Sequence, residues 1–325
     1  MDLLISILAI LTGFVLLVWG ADRFVHGAAA TARNLGVSTL VIGLTVVGFG
    51  TSAPEILVSV MAALSGNPGL AVGNAIGSNI TNIGLVLGVT ALVTPLMVNS
   101  ATLRREFPLM LLVSLLALVL VLDFTLSRVD GFILLSGLVL MLFWLVRIAK
   151  YKHFPEPMQS EYEREIPIIT LKNALFWTVF GLLILLLSSR MLVYGAVNIA
   201  QMMGISDLII GLTIVAIGTS LPELAASVMS AIKKEHDIAI GNILGSNMYN
   251  LLAVLGVPGV IAPVSLESSV LSRDFAYMIG LSIALFIFAY GIKGPGRINR
   301  IEAGALLAIY VSYLVILYLG IQHGV

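Results

Sequence analysis

The sequence is poor in the residues that a water-exposed surface and a disulfide framework require. Charged residues make up 10% of the 325 residues and hydrophobic residues 59%, and the mean hydropathy is +1.08. A soluble domain usually carries about a quarter charged residues, so this composition excludes a chain that is surrounded by water. Cysteine is absent, which excludes disulfides and thiol chemistry. The formal net charge is zero and gives no sign of a nucleic-acid partner.

Long apolar runs take the place of charge. A membrane-spanning helix needs roughly 20 apolar residues, and continuous rather than alternating runs favour helices over a β-barrel. We therefore predict an all-α integral membrane protein with ten transmembrane helices. The predicted spans are 3–20, 39–64, 70–95, 106–123, 131–149, 173–192, 207–232, 237–263, 275–292 and 301–320.

One polar segment and the basic residues predict the topology. The segment KYKHFPEPMQSEYEREIP begins at residue 150 and indicates a linker, 150–170, between a first five-helix repeat, 1–149, and a second one, 171–325. Basic residues favour cytoplasmic loops. With both termini outside a cell membrane (inner or plasma) and the linker in the cytoplasm, 14 basic residues face inward and only Arg128, Arg190 and Arg273 face outward.

Two sequence blocks occur twice, at the same offset of 168 residues. VIGLTVVGFGTSAPE at 41–55 matches IIGLTIVAIGTSLPE at 209–223 at ten positions, and AVGNAIGSNITN at 71–82 matches AIGNILGSNMYN at 239–250 at seven. Such self-similarity indicates an internal repeat. Because each half has an odd number of predicted helices, the second half enters the membrane from the opposite side. Inverted repeats of this kind are typical of transporters with a binding site near the midplane.

Glu55 and Glu223 are the acidic residues predicted to lie deep in the membrane, and no lysine or arginine is predicted at their depth. A carboxylate there is costly and marks a functional site. Either protonation or a bound metal cation is expected to compensate for its burial.

A proline precedes each glutamate, Pro54 in the first repeat and Pro222 in the second. A proline within a helix frees the carbonyl four residues earlier, which here belongs to Gly50 or Gly218. Irregular backbone at membrane depth is tolerated where it lines a cavity. The two prolines are therefore expected to add carbonyl oxygens beside the glutamates.

The oxygen-bearing side chains of the two blocks are spaced to share helix faces. In each GTSxPE motif the threonine and serine precede the glutamate by four and three residues, and in each GSNxxN motif the serine precedes the last asparagine by four. Carboxylate, amide, hydroxyl and carbonyl oxygens are the ligands that Ca²⁺ takes, about six to eight at a time. Zinc and copper are disfavoured, because these motifs contain no histidine or cysteine.

The duplicated GTSAPE/GTSLPE and GNAIGSNITN/GNILGSNMYN motifs resemble the α-repeats of the cation/calcium exchanger superfamily, in particular prokaryotic sodium/calcium exchangers. The resemblance covers nearly the whole chain. It implies cation sites between helices 2, 3, 7 and 8, with helices 1 and 6 as a sliding gate. The metal ligands that it implies are Glu55, Glu223, Thr51, Ser52, Thr219, Ser220, Ser78, Asn82, Ser246, Asn250 and the backbone carbonyls of Gly48 and Ala216.

One departure from the family pattern bears on coupling. Some family members carry aspartate at the last ligand position, whereas Asn82 and Asn250 are both amides here. Two deep carboxylates neutralise one Ca²⁺, so the number of monovalent ions that bind together, and the use of a proton, stay open.

The expected function is an antiporter that exchanges Ca²⁺ for Na⁺ by alternating access, not an enzyme. A Ca²⁺/H⁺ antiporter is the alternative, favoured by the amides and disfavoured by the lack of further deep acids. A cation channel is less favoured because the repeat is self-contained. An intramembrane hydrolase is disfavoured because no deep histidine or lysine could activate a serine. Ca²⁺, Na⁺ and the lipid bilayer are the expected partners, and no cofactor, nucleic acid or protein partner is expected.

Overall fold

The computed structural model describes residues 2–98, 100–151, 169–203, 216–290 and 296–323. Most of the predicted linker, at 152–168, lies outside the described residues, as does 207–215, the start of the seventh predicted span. The described residues form mainly long helices, as the apolar runs predict. Helices and strands are numbered in chain order.

The first part of the chain contains a long helix, a broken helix and three further helices. Their bounds are α1 (Asp2–Leu35), α2 (Thr39–Thr51), α3 (Ala53–Leu64), α4 (Pro68–Val93), β1 (Leu96–Val98), α5 (Ser100–Leu120), β2 (Thr125–Leu126) and α6 (Arg128–Tyr151).

The second part follows the same order. Its bounds are α7 (Leu171–Met202), α8 (Ala216–Thr219), α9 (Leu221–Ile232), α10 (His236–Ile261), β3 (Val264–Ser265), α11 (Val270–Ala289), β4 (Gly296–Ile298) and α12 (Arg300–His323).

The helices support a protein that crosses the membrane several times. Within the described residues, seven helices are long and apolar enough to span, or eight if the bent α2–α3 pair counts as one span. Helix α5 is long enough, but its first turns carry Arg104, Arg105 and Glu106. Helix α9 has only 12 residues because it begins after the helix break at Ser220, and the part of the seventh predicted span before residue 216 lies outside the described residues. Length and composition therefore give a smaller number than the ten predicted spans.

Helices α1 and α7 are longer than the predicted spans 3–20 and 173–192, and they pack against each other along much of their length. Gly13, Gly20 and Gly27 recur every seven residues on α1 and face the backbone of α7. A Cβ at Gly27 would lie 2.4 Å from the backbone nitrogen of Thr178. Small residues at such spacing let membrane helices approach closely, so these two helices form one paired unit.

The length of α1 corrects two predictions. The sequence places Arg23 and Arg33 in a loop and Asp22 near a helix end, but all three lie within the continuous helix. There Asp22 forms an ion pair of 2.7 Å with Lys233, which caps the end of α9. The length of an apolar run therefore underestimates the length of a helix whose charged turns pack against other parts of the protein.

The described residues are mostly helical, and four short strands that the sequence does not predict form two antiparallel pairs beside the helices. Strand β1 pairs with β4, placing Leu96 opposite Ile298. Strand β2 pairs with β3, placing Thr125 opposite Ser265. Each pair joins a loop of the first part to a loop of the second, and segments of two or three residues carry no period that a sequence could reveal.

Candidate cation site

Each GTSxPE motif breaks its helix at the serine. Ser52 ends α2 and precedes α3, with φ −80° and ψ 1°; Ser220 separates α8 from α9, with φ −88° and ψ 3°. The break bends the α2–α3 pair by 43°. The break precedes Pro54 and Pro222, so the two prolines do not lie in the middle of a helix as predicted. Each is among the first two residues of a new helix, where its missing N–H costs little.

The backbone carbonyl four residues before Pro222, that of Gly218, is free to accept from outside its own helix, as predicted from the proline. Its partner lies on α7, one of the two paired long helices. Ser189 on α7 donates from Oγ to the carbonyl oxygen of Gly218 at 2.8 Å. The position that corresponds to Ser189 in the first part is Ala21, which offers no donor. The two breaks therefore differ in their contact with the long helices.

Glu55 and Glu223 are the third residues of α3 and α9, and each is 1% exposed. They lie close enough to interact electrostatically. Ser52 of the first motif donates to Glu223 Oε1 at 3.3 Å, while Thr219 of the second motif approaches Glu55. Each motif thus turns a hydroxyl toward the glutamate of the other motif.

Several buried oxygens around the two glutamates have no hydrogen-bond partner among the residues that the structure describes. They are both carboxylate oxygens of Glu55, Oε2 of Glu223, Oγ of Ser220 and the amide oxygens of Asn82 and Asn250. Leaving a buried polar atom unsatisfied costs about 1–3 kcal/mol, and more for a charged group. These buried oxygens, which come from four helical segments, are candidate ligands for a cation.

A second group of oxygens lies beside the first helix break. Thr51 Oγ1 lies 3.1 Å from the carbonyl oxygen of Val47 and 3.4 Å from that of Gly48. Ser246 on α10 lies 3.4 Å from the same Gly48 oxygen and 3.5 Å from Thr51 Oγ1. The predicted ligands Thr51, Ser246 and Gly48 are therefore neighbours, although they come from α2 and α10.

The remaining predicted ligands lie on the same helices. Ser78 on α4 is 6% exposed, and Ala216 begins α8. Asn82 and Asn250 are each 1% exposed, and each begins a π-helical segment, Asn82–Leu87 or Asn250–Val254. These segments pack against the glutamate-bearing helices of the opposite half, the first on α9 and the second on α3. The sequence predicts the asparagines but not the π-helical segments, which are common at functional sites.

Among the described residues, no lysine or arginine forms an ion pair with either glutamate. In the part of the chain that the structure describes, no three His, Cys, Asp or Glu side chains lie close enough together to hold a metal ion by themselves. Any cation held here therefore has two carboxylates and otherwise neutral oxygens as ligands.

The sequence overlooks one buried acid. Glu106 on α5 is 6% exposed, so a third glutamate is buried within the protein beside the two that the sequence predicts to lie deep in the membrane. The sequence contains a pattern that could have revealed this acid. The triplet Arg-Glu-Phe at 105–107 matches the triplet Arg-Asp-Phe at 273–275, at the repeat offset of 168 residues. Asp274 accepts from Arg273 at 2.7 Å and from Tyr313 at 3.2 Å.

Comparison with known proteins defines the class as membrane antiporters of ions. The family model "Sodium/calcium exchanger protein" matches residues 5–148 and 173–319, which include both duplicated blocks. The chain belongs to the sodium/calcium exchanger family.

The relatives extend over nearly the whole chain. It is 49% identical to the "Putative antiporter CaxA" of Alkalimonas amylolytica, covering 97% of this chain and 99% of that protein. It is 32% identical to the "Sodium/calcium exchanger MaX1" of Methanosarcina acetivorans, covering 97% and 99%. A structure of the sodium-calcium exchanger NCX_Mj soaked with Na⁺ and Sr²⁺ superposes with a TM-score of 0.84 at 33% identity, covering 96% of this chain and 98% of that one.

Proposed function

We propose that this protein exchanges Ca²⁺ for Na⁺ across a cell membrane by alternating access. The observation that carries the proposal is the pair of buried glutamates, Glu55 and Glu223, because three of their four carboxylate oxygens have no hydrogen-bond partner within the described part of the chain. Two carboxylates neutralise one Ca²⁺, and the nearby amide and hydroxyl oxygens complete a set of hard ligands. The family membership and the names of MaX1 and NCX_Mj support the choice of these ions.

The ligand set proposed for these ions is the one predicted from the sequence. Its members come from α2–α3, α4, α8–α9 and α10, which correspond to helices 2, 3, 7 and 8. Competition between Ca²⁺ and Na⁺ for the same two carboxylates makes simultaneous full loading costly. This competition favours exchange over leakage.

We further propose ten crossings arranged as two inverted repeats with both termini outside. The strand pairs support this topology, because two paired loops must lie on the same side of the membrane. Six predicted spans separate β1 from β4 and four separate β2 from β3, and both numbers are even. The paired helices α1 and α7 are the sliding gate in this arrangement.

A Ca²⁺/H⁺ antiporter is the second candidate, and the two amides favour it. With Asn82 and Asn250 uncharged, a proton on Glu55 or Glu223 would serve as a counter-ion where a family member with aspartate holds an additional cation. Glu106 does not change this comparison, because it lies on α5, outside the four ligand-bearing helices.

One flux experiment tests both candidates. Proteoliposomes are given ⁴⁵Ca²⁺ with either a Na⁺ gradient or a pH gradient, and Glu55→Gln and Glu223→Gln are measured beside the wild type. We expect uptake driven by Na⁺, reduced roughly 100-fold or more in either variant, because loss of residues that only orient ligands already costs about 10–100-fold. Uptake driven by the pH gradient alone would favour H⁺ coupling, and wild-type rates in both variants would exclude the proposed site.

A further inference from the structure

Two asparagines outside the proposed ligand set make matching contacts in the two halves. Asn74 Nδ2 on α4 donates to the backbone oxygen of Glu55 at 3.1 Å and to Ser59 Oγ at 3.0 Å. Asn242 Nδ2 on α10 donates to the backbone oxygen of Glu223 at 3.2 Å and to a serine Oγ, that of Ser227, at 2.8 Å. Each amide thus holds the backbone of one glutamate against the neighbouring helix.

Asn242 makes one additional contact, and that contact crosses between the halves. Its Oδ1 accepts a hydrogen bond from Thr51 Oγ1 at 3.0 Å, and Asn242 itself is fully buried. One amide therefore joins the glutamate of the second motif to the threonine of the first. Because the donor and acceptor ends of an amide are rigidly connected, a shift of the Glu223 backbone also shifts the acceptor of Thr51.

We propose that Asn242 is a positioning residue that links the two halves of the cation site, and that Asn74 holds the backbone of Glu55 in the first half. The proposal rests on the exchange function proposed above and adds residues that act on its ligands without contacting the ion. Fixing ligand geometry matters because Ca²⁺ and Na⁺ compete for shared oxygens. The link also makes the threonine of one motif sensitive to occupancy at the glutamate of the other.

The chain offers matched controls. Asn79 is also a buried asparagine, but its Nδ2 donates to its own helix, to the backbone oxygen of Ala75 at 2.9 Å, so Asn79→Ala measures the loss of a buried amide alone. Asn74→Ala removes the same pair of donor contacts as Asn242→Ala. The difference between Asn74→Ala and Asn242→Ala therefore reports the contact with Thr51.

The test measures the KM for Ca²⁺ in proteoliposomes and the Ca²⁺ concentration that half-stabilises the purified protein against heat. Asn242→Ala should raise both by about 10–100-fold, the usual cost of losing a residue that orients ligands, with a much smaller change in maximal rate. Asn74→Ala should raise them less, and Asn79→Ala should leave them unchanged. If Asn242→Ala and Asn79→Ala give the same values, Asn242 is a packing residue and the proposal is wrong.

A double-mutant cycle tests the contact itself. Thr51→Val combined with Asn242→Ala should raise KM by less than the product of the two single effects, because the two variants share one interaction, whereas its combination with Asn74→Ala should be multiplicative. Equal behaviour of the two cycles would overturn the link. If Asn242→Ala cannot be purified, Ser227→Ala removes the shortest hydrogen bond of the amide, and an unchanged KM would overturn the proposal.

The two proposals fail differently. Wild-type protein that is stabilised by Ca²⁺ but carries no Ca²⁺ flux would contradict the exchange function. The heat-stability measurements on the asparagine variants would still test the positioning role of Asn242. Wild-type protein that shows neither stabilisation by Ca²⁺ nor Ca²⁺ flux would overturn both proposals. Normal wild-type exchange with identical asparagine variants would overturn only the positioning role.

Discussion

At the scale of single residues, the site is defined by oxygens that lack donors. A buried carboxylate normally receives hydrogen bonds from its surroundings, yet neither oxygen of Glu55 receives one of normal geometry from any described residue. The amide oxygens of Asn82 and Asn250 are in the same condition. Because an amide oxygen can bind a cation without neutralising it, the charge of the ions that bind together depends on the two glutamates.

This charge limit gives a prediction for Asn250. In Asn250→Asp a third carboxylate would lie on the segment that packs against α3, which carries Glu55. The site would then favour additional positive charge, so we expect slower Ca²⁺ release and a flux that depends more strongly on external pH, because protons can neutralise the added carboxylate. Asn250→Ala should weaken ion coupling while Ca²⁺ binding partly persists, because only a neutral ligand is lost.

The measurement is Ca²⁺ flux against pH for the wild type and both Asn250 variants in vesicles of the same composition. Superimposed curves for all three proteins would mean that Asn250 lies outside the ion site and that its match to Asn82 reflects packing.

At the scale of helices, the structure separates a paired unit, α1 and α7, from the broken helices that hold the glutamates. The glycines of α1 recur in α7 at the repeat offset, with Gly13 matching Gly181 and Gly27 matching Gly195. A Cβ at Gly181 would lie 2.4 Å from the backbone nitrogen of Phe24. Such contacts between backbones leave no flexible side chain to move aside.

Gly27→Ala should therefore destabilise the protein, by about 1–3 kcal/mol as overpacked substitutions do, and should slow exchange if the pair moves as a gate. The control is Gly280→Ala on α11, where nothing lies within 4 Å of the added Cβ and the helix should gain about 0.5–1 kcal/mol. Thermal unfolding in detergent and initial transport rates measure the two effects. Equal unfolding midpoints for both variants would contradict the close packing of α1 and α7.

At the scale of the whole molecule, the topology rests on the basic residues and on the parity of the strand pairs. The chain contains no cysteine, so a single introduced cysteine reports one position. Ser160→Cys, in the predicted linker and outside the described residues, should resist an impermeant thiol reagent applied to intact cells and react after permeabilisation. Ser268→Cys, exposed before α11, should react in intact cells. The reverse pattern would invert the proposed orientation.

The sequence by itself determined the membrane setting, the duplication and the identity of the buried oxygen-bearing residues. These properties are local or periodic: an apolar run, an offset of 168 residues and a spacing of three or four residues are visible without coordinates. Glu55 and Glu223 are prominent because a carboxylate within an apolar run is costly wherever the chain folds. The same signal was overlooked for Glu106, which stands at the edge of its predicted span.

Only the tertiary structure decided how these residues meet. The sequence could not show that Ser52 reaches Glu223, 171 residues away, or that Asn242 accepts from Thr51, because both contacts depend on how one half packs against the other. The position of each helix break, the π-helical segments at the asparagines and the strand pairs have the same origin. Backbone groups that leave a regular helix are stabilised by partners distant in the chain, and the spacing of residues along one segment does not contain those partners.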